Sequence, residues 1–366
     1  MSDRPDPSAE SPGASPHVVL TQARAQLAAR WLNSPPLLVA TMAKDGAETH
    51  LNFIHPALAE RVILLDFWDY TCLHCLHTLP YLLAWHERYA GLGLTIIGIH
   101  TPQFTFSGER TNVERALREL GIRYPVVVDN DYGIWRALDN QSWPRKILLD
   151  RLGQAVFDHT GEGSYDQIET RLQEALRDGH ADFPLPPLLE PLKPEDAPGA
   201  VLRPTTPEIY CGFVRGAVGN REGLDATGGA VDYADEPRRA ADILYLSGRW
   251  RATGESFRAA PEIGRPAVLK LRCQAAGVHA VMRGQGQAVT ARVTLDGRPV
   301  PEARRGSDLT AASGDETVVQ VHEPRLYSLA GGGEHRKLEL TIEVDQGELE
   351  AFAFSFSTSV QPRSTA

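Results

Sequence analysis

A chain of 366 residues is long for one hydrophobic core and comfortable for two domains. Hydrophobic residues at 42% and charged residues at 23% are ordinary globular values, which excludes wholesale disorder and fibrous repeats. A formal net charge of −10 with no clustered run of Lys and Arg argues against nucleic acid as a partner. No apolar stretch reaches bilayer length, and even Val62 to Trp68 is strand-sized and carries Asp66, so no membrane span is expected. Met1 to Leu20 is rich in Ser, Pro, Asp and Glu and has no basic start ahead of an apolar stretch. As the sequence stands it reads as cytoplasmic, and as extracytoplasmic only if a signal has been removed.

Residues 1–50 read as a polar leader with a short helix, Thr21 to Trp31, ended by Pro35-Pro36. Residues 51–182 read as an α/β domain. Val62-Ile63-Leu64-Leu65 is a buried-strand run, Cys72 to Tyr89 has helical apolar spacing, and Leu94 to Ile99 is a second buried strand. Thr111 to Glu114 fits a capping box for a helix that stops at Gly121. Tyr124 to Val128 is a further strand, Lys146 to His159 a hairpin, and Ser164 to Gln167 a second capping box opening a final helix. Such alternation predicts a mixed sheet with helices on both faces. Residues 183–206, with Pro-Leu-Pro-Pro and Pro-Leu-Lys-Pro, predict an extended linker outside either core. In 207–366, Val289, Ala291, Val293 and Leu295 alternate with polar residues, as do Leu338, Leu340, Ile342 and Val344, and Phe352, Phe354 and Phe356 continue the period of two. This predicts an antiparallel β-sandwich or jelly roll.

Four cysteines are too few for a disulfide scaffold, and only Cys72 and Cys75 are close in sequence. Cys211 and Cys273 read as small buried thiols in strands. Cys72-Leu73-His74-Cys75 follows a buried strand and opens a helix. There the first thiol meets unpaired backbone N–H groups and the positive end of the helix dipole, which favours its thiolate and makes Cys72 the expected nucleophile. Cys75, one turn deeper, is placed to attack the mixed disulfide and release the partner.

Asp66-Phe67-Trp68 ahead of this dithiol, Pro80 in the following helix and Trp143-Pro144 before the strand Lys146 to Leu149 resemble thioredoxin and its TlpA and ResA relatives. The resemblance implies a thioredoxin fold with an inserted TlpA-like segment. It implies Asp66 as the buried carboxylate that takes and returns the proton of the resolving thiol, Trp68 as a cover for the dithiol, and Trp143 with a cis Pro144 as the backbone that docks substrate. His74 sits where DsbA and protein disulfide isomerase place a histidine, where a cation stabilises the reduced form. Gly98 to Phe104, Pro125 to Asn130, Trp135, Trp143-Pro144 and Gly161-Glu162-Gly163 resemble DipZ proteins, which also carry a β-sandwich behind the thioredoxin domain; His100, Trp135 and Glu162 are candidates to line the cleft. The activity implied is thiol-disulfide exchange with protein disulfide or dithiol substrates and an upstream redox partner. The Cys72–Cys75 pair itself would be the redox group, with no separate cofactor.

Three other readings compete. Cys72, His74, Cys75 and His77 are zinc-ligand types, but four ligands within a turn and a half of helix do not converge on one ion, so no metal is expected. A thiol peroxidase is suggested by Thr71 before Cys72, against the partner thiol three positions on. A binding protein could use the sandwich for glycan or protein, with Tyr245 and Trp250 as stacking aromatics. Phe104 to Arg110 is a candidate mobile lip over the site.

Overall fold

The computed structural model describes residues 30–33, the backbone of 39–45 and 48–53, residue 58, and residues 60–178 and 184–361. Most of the expected leader and its helix lie outside the described residues. Trp31, expected to end that helix, instead opens the two-residue strand β1 (Trp31–Leu32), which pairs with Val126 and Val127. A short hairpin follows, β2 (Val39–Asp45) with β3 (Glu48–Phe53).

The first domain is a mixed six-stranded sheet. Its central strands are β4 (Val62–Trp68), β5 (Leu94–His100) and β6 (Val126–Val128), paired in parallel; β7 (Arg145–Leu149) and β8 (Ala155–Thr160) extend it antiparallel, giving the order β1-β6-β5-β4-β7-β8. The apolar runs are strands because both faces of β4 and β5 are covered, as continuous β-branched and Leu sequence requires. One face packs on α1 (Leu73–Tyr89), α2 (Arg110–Glu119) and, after the short helix α3 (Gly133–Ala137), on α4 (Tyr165–Arg177). The other face buries Ile63, Leu65, Phe67, Ile97 and Ile99 against Trp31 and Leu138.

Neither expected capping box forms. α2 begins earlier, with Glu109 as its N-cap, and the Asn112 amide turns back to the Phe106 carbonyl and Glu109 instead. Ser164 sits in the left-handed region at φ 52°, so its hydroxyl does not reach the N–H groups of α4. The expected stop at Gly121 does form: Gly121 has φ +69°, and the Ile122 N–H returns to the Leu117 carbonyl.

The second domain is an antiparallel two-layer sandwich of thirteen strands. Val289, Ala291, Val293, Leu295, Leu338, Leu340, Ile342 and Val344 all point into its core, as their alternation requires. Strand Leu244–Ala252 belongs to both layers: Leu244 to Ser247 pair with one, Trp250 to Ala252 with the other. The turn between them is Gly248, at φ +75° and so close to the Pro266 carbonyl oxygen that a Cβ would lie 2.2 Å from it. Tyr245 and Trp250, considered above for sugar stacking, are both buried.

The phenylalanine alternation is broken. A bulge pairs Val281 with Ala353 and Met282 with Ala351, so Phe352 is the extra residue between them. It leaves the sandwich core, which keeps Phe354 and Phe356, and packs on Phe104 and Phe106 of the first domain at centroid distances of 5.5 and 4.7 Å. Phe104 to Arg110 is thereby no mobile lip: Phe104 and Phe106 are buried in a core shared by both domains. The proline-rich segment is not a free spacer either. Leu185 and Leu189 pack on the first core, Glu169 accepts from the Leu189 N–H at 2.8 Å, and Tyr81 accepts from the Leu192 N–H at 2.8 Å. Among the described residues no helix is long and apolar enough to cross a membrane.

Candidate active site around the dithiol

β4 delivers the chain to the carboxyl end of the central parallel strands, the turn Asp69-Tyr70-Thr71 follows, and Cys72 caps α1. Cys72 has extended backbone angles (φ −82°, ψ 112°), and its Sγ accepts the Cys75 N–H at 3.2 Å, one of the helix's unpaired donors. The four described cysteines are free and buried, so the pair stands as a dithiol, and Cys211 and Cys273 do not bridge. Burial, then the hydrogen bond to Cys72, pushes the Cys75 thiol well above its usual range. The inner thiol therefore needs a base before it can attack.

Asp66 supplies a candidate. It lies in the middle of the sheet at 1% exposure, opposite Lys146 in the antiparallel register, with the ammonium 3.3 Å from its carboxylate. Burial raises its pKa, and the Lys146 charge opposes this without cancelling it. A carboxyl that holds its proton more tightly than in water is suited to exchanging one with a thiol.

The turn before Cys72 is fixed by a residue that the sequence did not single out. The fully buried Asp69 carboxylate accepts from the Thr71 N–H and hydroxyl at 2.6 Å each, from the Gln103 N–H at 2.7 Å and from the Ser107 hydroxyl at 2.6 Å. His100, at the end of β5, is also fully buried, stacked on Tyr70 at 5.7 Å with its Nε2 3.8 Å from Asp69. Burial lowers its pKa, the Asp69 charge working the other way. Thr71, the residue that suggested a peroxidase, spends its hydroxyl on Asp69.

Trp68, expected over the dithiol and against substrate, is buried at 3% exposure with its ring edge-on to His100 at 5.2 Å. It shares the core with Cys72 and Cys75 and is not a surface that substrate can touch. The Trp143–Pro144 bond is cis. Trp143 is half-buried, donates its indole N–H to the Thr101 carbonyl at 3.0 Å and packs on Trp135 at 4.3 Å.

His74 is half exposed on α1 and hydrogen-bonds Glu162 through Nδ1. His77, one turn on, meets the same carboxylate at 3.1 and 3.2 Å. Burial opposes ionisation of Glu162, but the two imidazoles hold its pKa down to about 2, and the same bond raises that of His74. The ligand atoms of these three residues lie within 4.8 Å of one another. The four residues weighed and set aside as zinc ligands do not come together: the histidines meet at Glu162, while the cysteines turn inward.

Residues 206–357 match the thioredoxin-like C-terminal domain family. Protein DipZ of Mycobacterium bovis is 34% identical over 274 residues, 74% of this chain and 38% of DipZ; the chain thus spans little more than a third of that relative. Thiol-disulfide oxidoreductase YkuV of Bacillus subtilis is 23% identical over 119 residues, 32% of this chain and 80% of YkuV. The crystal structure of StoA from Bacillus subtilis, 17% identical, aligns with 37% of this chain and 98% of StoA at a TM-score of 0.29. The first domain is a thioredoxin fold. The sandwich behind it is the part that matches the thioredoxin-like C-terminal domain family, in the order that the resemblance to DipZ proteins implied.

In this thioredoxin domain Asp69 and His77 were the residues that local patterns passed over or misassigned. A signal existed for the first: Asp two positions before Thr is an Asx-turn pattern, here closing the loop that enters the helix. None existed for the second, because its partner Glu162 is 85 positions away.

Proposed function

We propose that the chain is a thiol-disulfide oxidoreductase acting on protein disulfides through Cys72 and Cys75. The observation that carries this is the Cys75 N–H donated to the Cys72 sulfur at 3.2 Å, at a helix N-terminus with buried Asp66 beneath. Backbone N–H groups there stabilise negative charge on the outer sulfur in every step where it forms. The Cys72 thiolate attacks one sulfur of a substrate disulfide, forming a mixed disulfide and expelling the other sulfur as a thiolate that takes a proton from water. Cys75 gives its proton to ionised Asp66, then attacks the Cys72 sulfur; the second substrate sulfur is expelled as a thiolate that takes a proton from water, Asp66 gives up the proton it took, and Cys72–Cys75 becomes the disulfide. Run in reverse, the same steps oxidise a substrate dithiol. The cysteine pair is itself the redox group. The name of one relative, thiol-disulfide oxidoreductase YkuV, supports this reading, and the cis bond ahead of Pro144 fits the substrate-docking backbone that the thioredoxin resemblance implies.

Glutathione redox buffers with thiol trapping test it. One two-electron transition is expected, absent in Cys72→Ser. Failure of the wild-type chain to show a reversible transition would overturn the proposal. A midpoint near that of thioredoxin assigns it as a reductase, and one tens of millivolts higher as an oxidant tuned by His74.

A further inference from the structure

His74, His77 and Glu162 form a second constellation at the mouth of the dithiol, none of whose atoms is bonded or broken in the exchange steps above. The two histidines are one helical turn apart on the outward face of α1, so both imidazoles leave the helix in the same direction. Glu162 is brought to them by the turn after β8. Gly161 (φ +93°) and Gly163 (φ +84°) flank it, and the Glu162 carbonyl accepts from His159 Nε2 at 3.2 Å. The turn thus presents one carboxylate to two Nδ1 atoms.

The spacing is that of a coordination shell. Two donor atoms at zinc bond lengths of 2.0–2.1 Å and a tetrahedral angle lie about 3.4 Å apart. His77 Nδ1 stands 3.1 and 3.2 Å from the two oxygens of Glu162, and all three ligand groups fall within 4.8 Å. A cation placed among them would take over the role that protons fill in the His74–Glu162–His77 hydrogen bonds.

We propose that His74, His77 and Glu162 bind one divalent transition-metal ion of the zinc class, with three protein ligands and one open position beside the dithiol. Two imidazoles and a carboxylate suit Zn²⁺ over Mg²⁺ or Ca²⁺, which take oxygen ligands. The cysteines are not part of the site: Cys72 and Cys75 are 6% and 3% exposed and share the apolar core. This separates the site from ordinary zinc capture by a reduced dithiol.

The test uses the full chain with Cys72→Ser and Cys75→Ser, so that the dithiol cannot supply the binding and the outcome does not depend on the redox proposal. Equilibrium dialysis against Zn²⁺ is expected to show one ion per chain, weakened at least tenfold by Glu162→Gln and by His77→Asn. Co²⁺ is expected to give the visible absorption of a four-coordinate nitrogen and oxygen site, lost in both variants. Both substitutions fall at partly exposed positions, and melting curves matching the parent would show that the fold is intact. Zinc binding absent from the serine protein, or undiminished in both variants, would overturn the proposal.

Discussion

The two domains differ in how completely they satisfy the charges they bury. In the sandwich, Glu350 is the buried carboxylate among the described residues, and it is saturated: Arg258 meets one oxygen at 2.8 and 3.0 Å, Ser256 meets it at 3.3 Å, and Arg283 and Gln285 hold the other. In the thioredoxin domain Asp69 and Glu169 are satisfied too, but other buried charged groups are only partly matched. Asp66 has a single cation, and both ring nitrogens of His100 lack a hydrogen bond. A fully satisfied network fixes a structure, whereas an under-satisfied one holds groups ready to change protonation. The comparison places reactivity in the first domain and rigidity in the second.

The largest expected effect tests whether the domains share a core. Phe352→Ala removes a ring packed between them and should cost about 4 kcal/mol, with faster amide exchange at Phe104 to Ser107. Exchange confined to the sandwich would show the domains to be independent. Glu350→Gln should cost about 2 kcal/mol, because Arg283 loses its buried counter-charge and Arg258 keeps only the exposed Glu348, seen as a lower urea midpoint with the dithiol potential unchanged.

Smaller effects sharpen the other side. Asp69→Asn removes one acceptor oxygen and leaves either the Thr71 or the Gln103 and Ser107 donors unpaired, for about 2 kcal/mol, and should slow exchange by loosening the turn before Cys72. Asp66→Asn is expected to show in pH dependence. Because the folded carboxyl binds its proton more tightly than the unfolded one, its contribution is full below the ordinary value of 3.8 and is lost as pH rises through the raised folded value. Wild-type stability should fall across that window by up to about 1.4 kcal/mol per pH unit relative to Asp66→Asn, whose resolving step should also be slower. Equal slopes would show that Asp66 stays ionised.

The sheet of the thioredoxin domain was legible because runs such as Val62 to Leu65 and Leu94 to Ile99 admit few alternatives once the helix between them is seen. Cys72 and Cys75 were legible for a local reason, since their meaning lies in spacing and in the elements beside them, whereas Asp66 and Pro144 took theirs from the resemblance to thioredoxin. What escaped was set by tertiary contact. Trp31–Leu32 is too short for periodicity to mark, Ser164 loses its cap to a left-handed turn, and Phe352 follows a bulge that alternation does not reveal. His74 and Glu162 are 88 positions apart and acquire a joint meaning only when the hairpin closes.

Gln103 draws a final consequence from the Asp69 turn. Its N–H is held by Asp69, its side chain donates to the Tyr210 hydroxyl at 2.7 Å, and its carbonyl accepts from Arg215 at 3.1 Å. One residue is therefore spliced into the reactive turn on one side and into the second domain on the other. Cutting the chain at the proline-rich segment would not return a free-standing redox unit with the same mouth; it would remove the outer buttress of the loop on which Cys72 is poised.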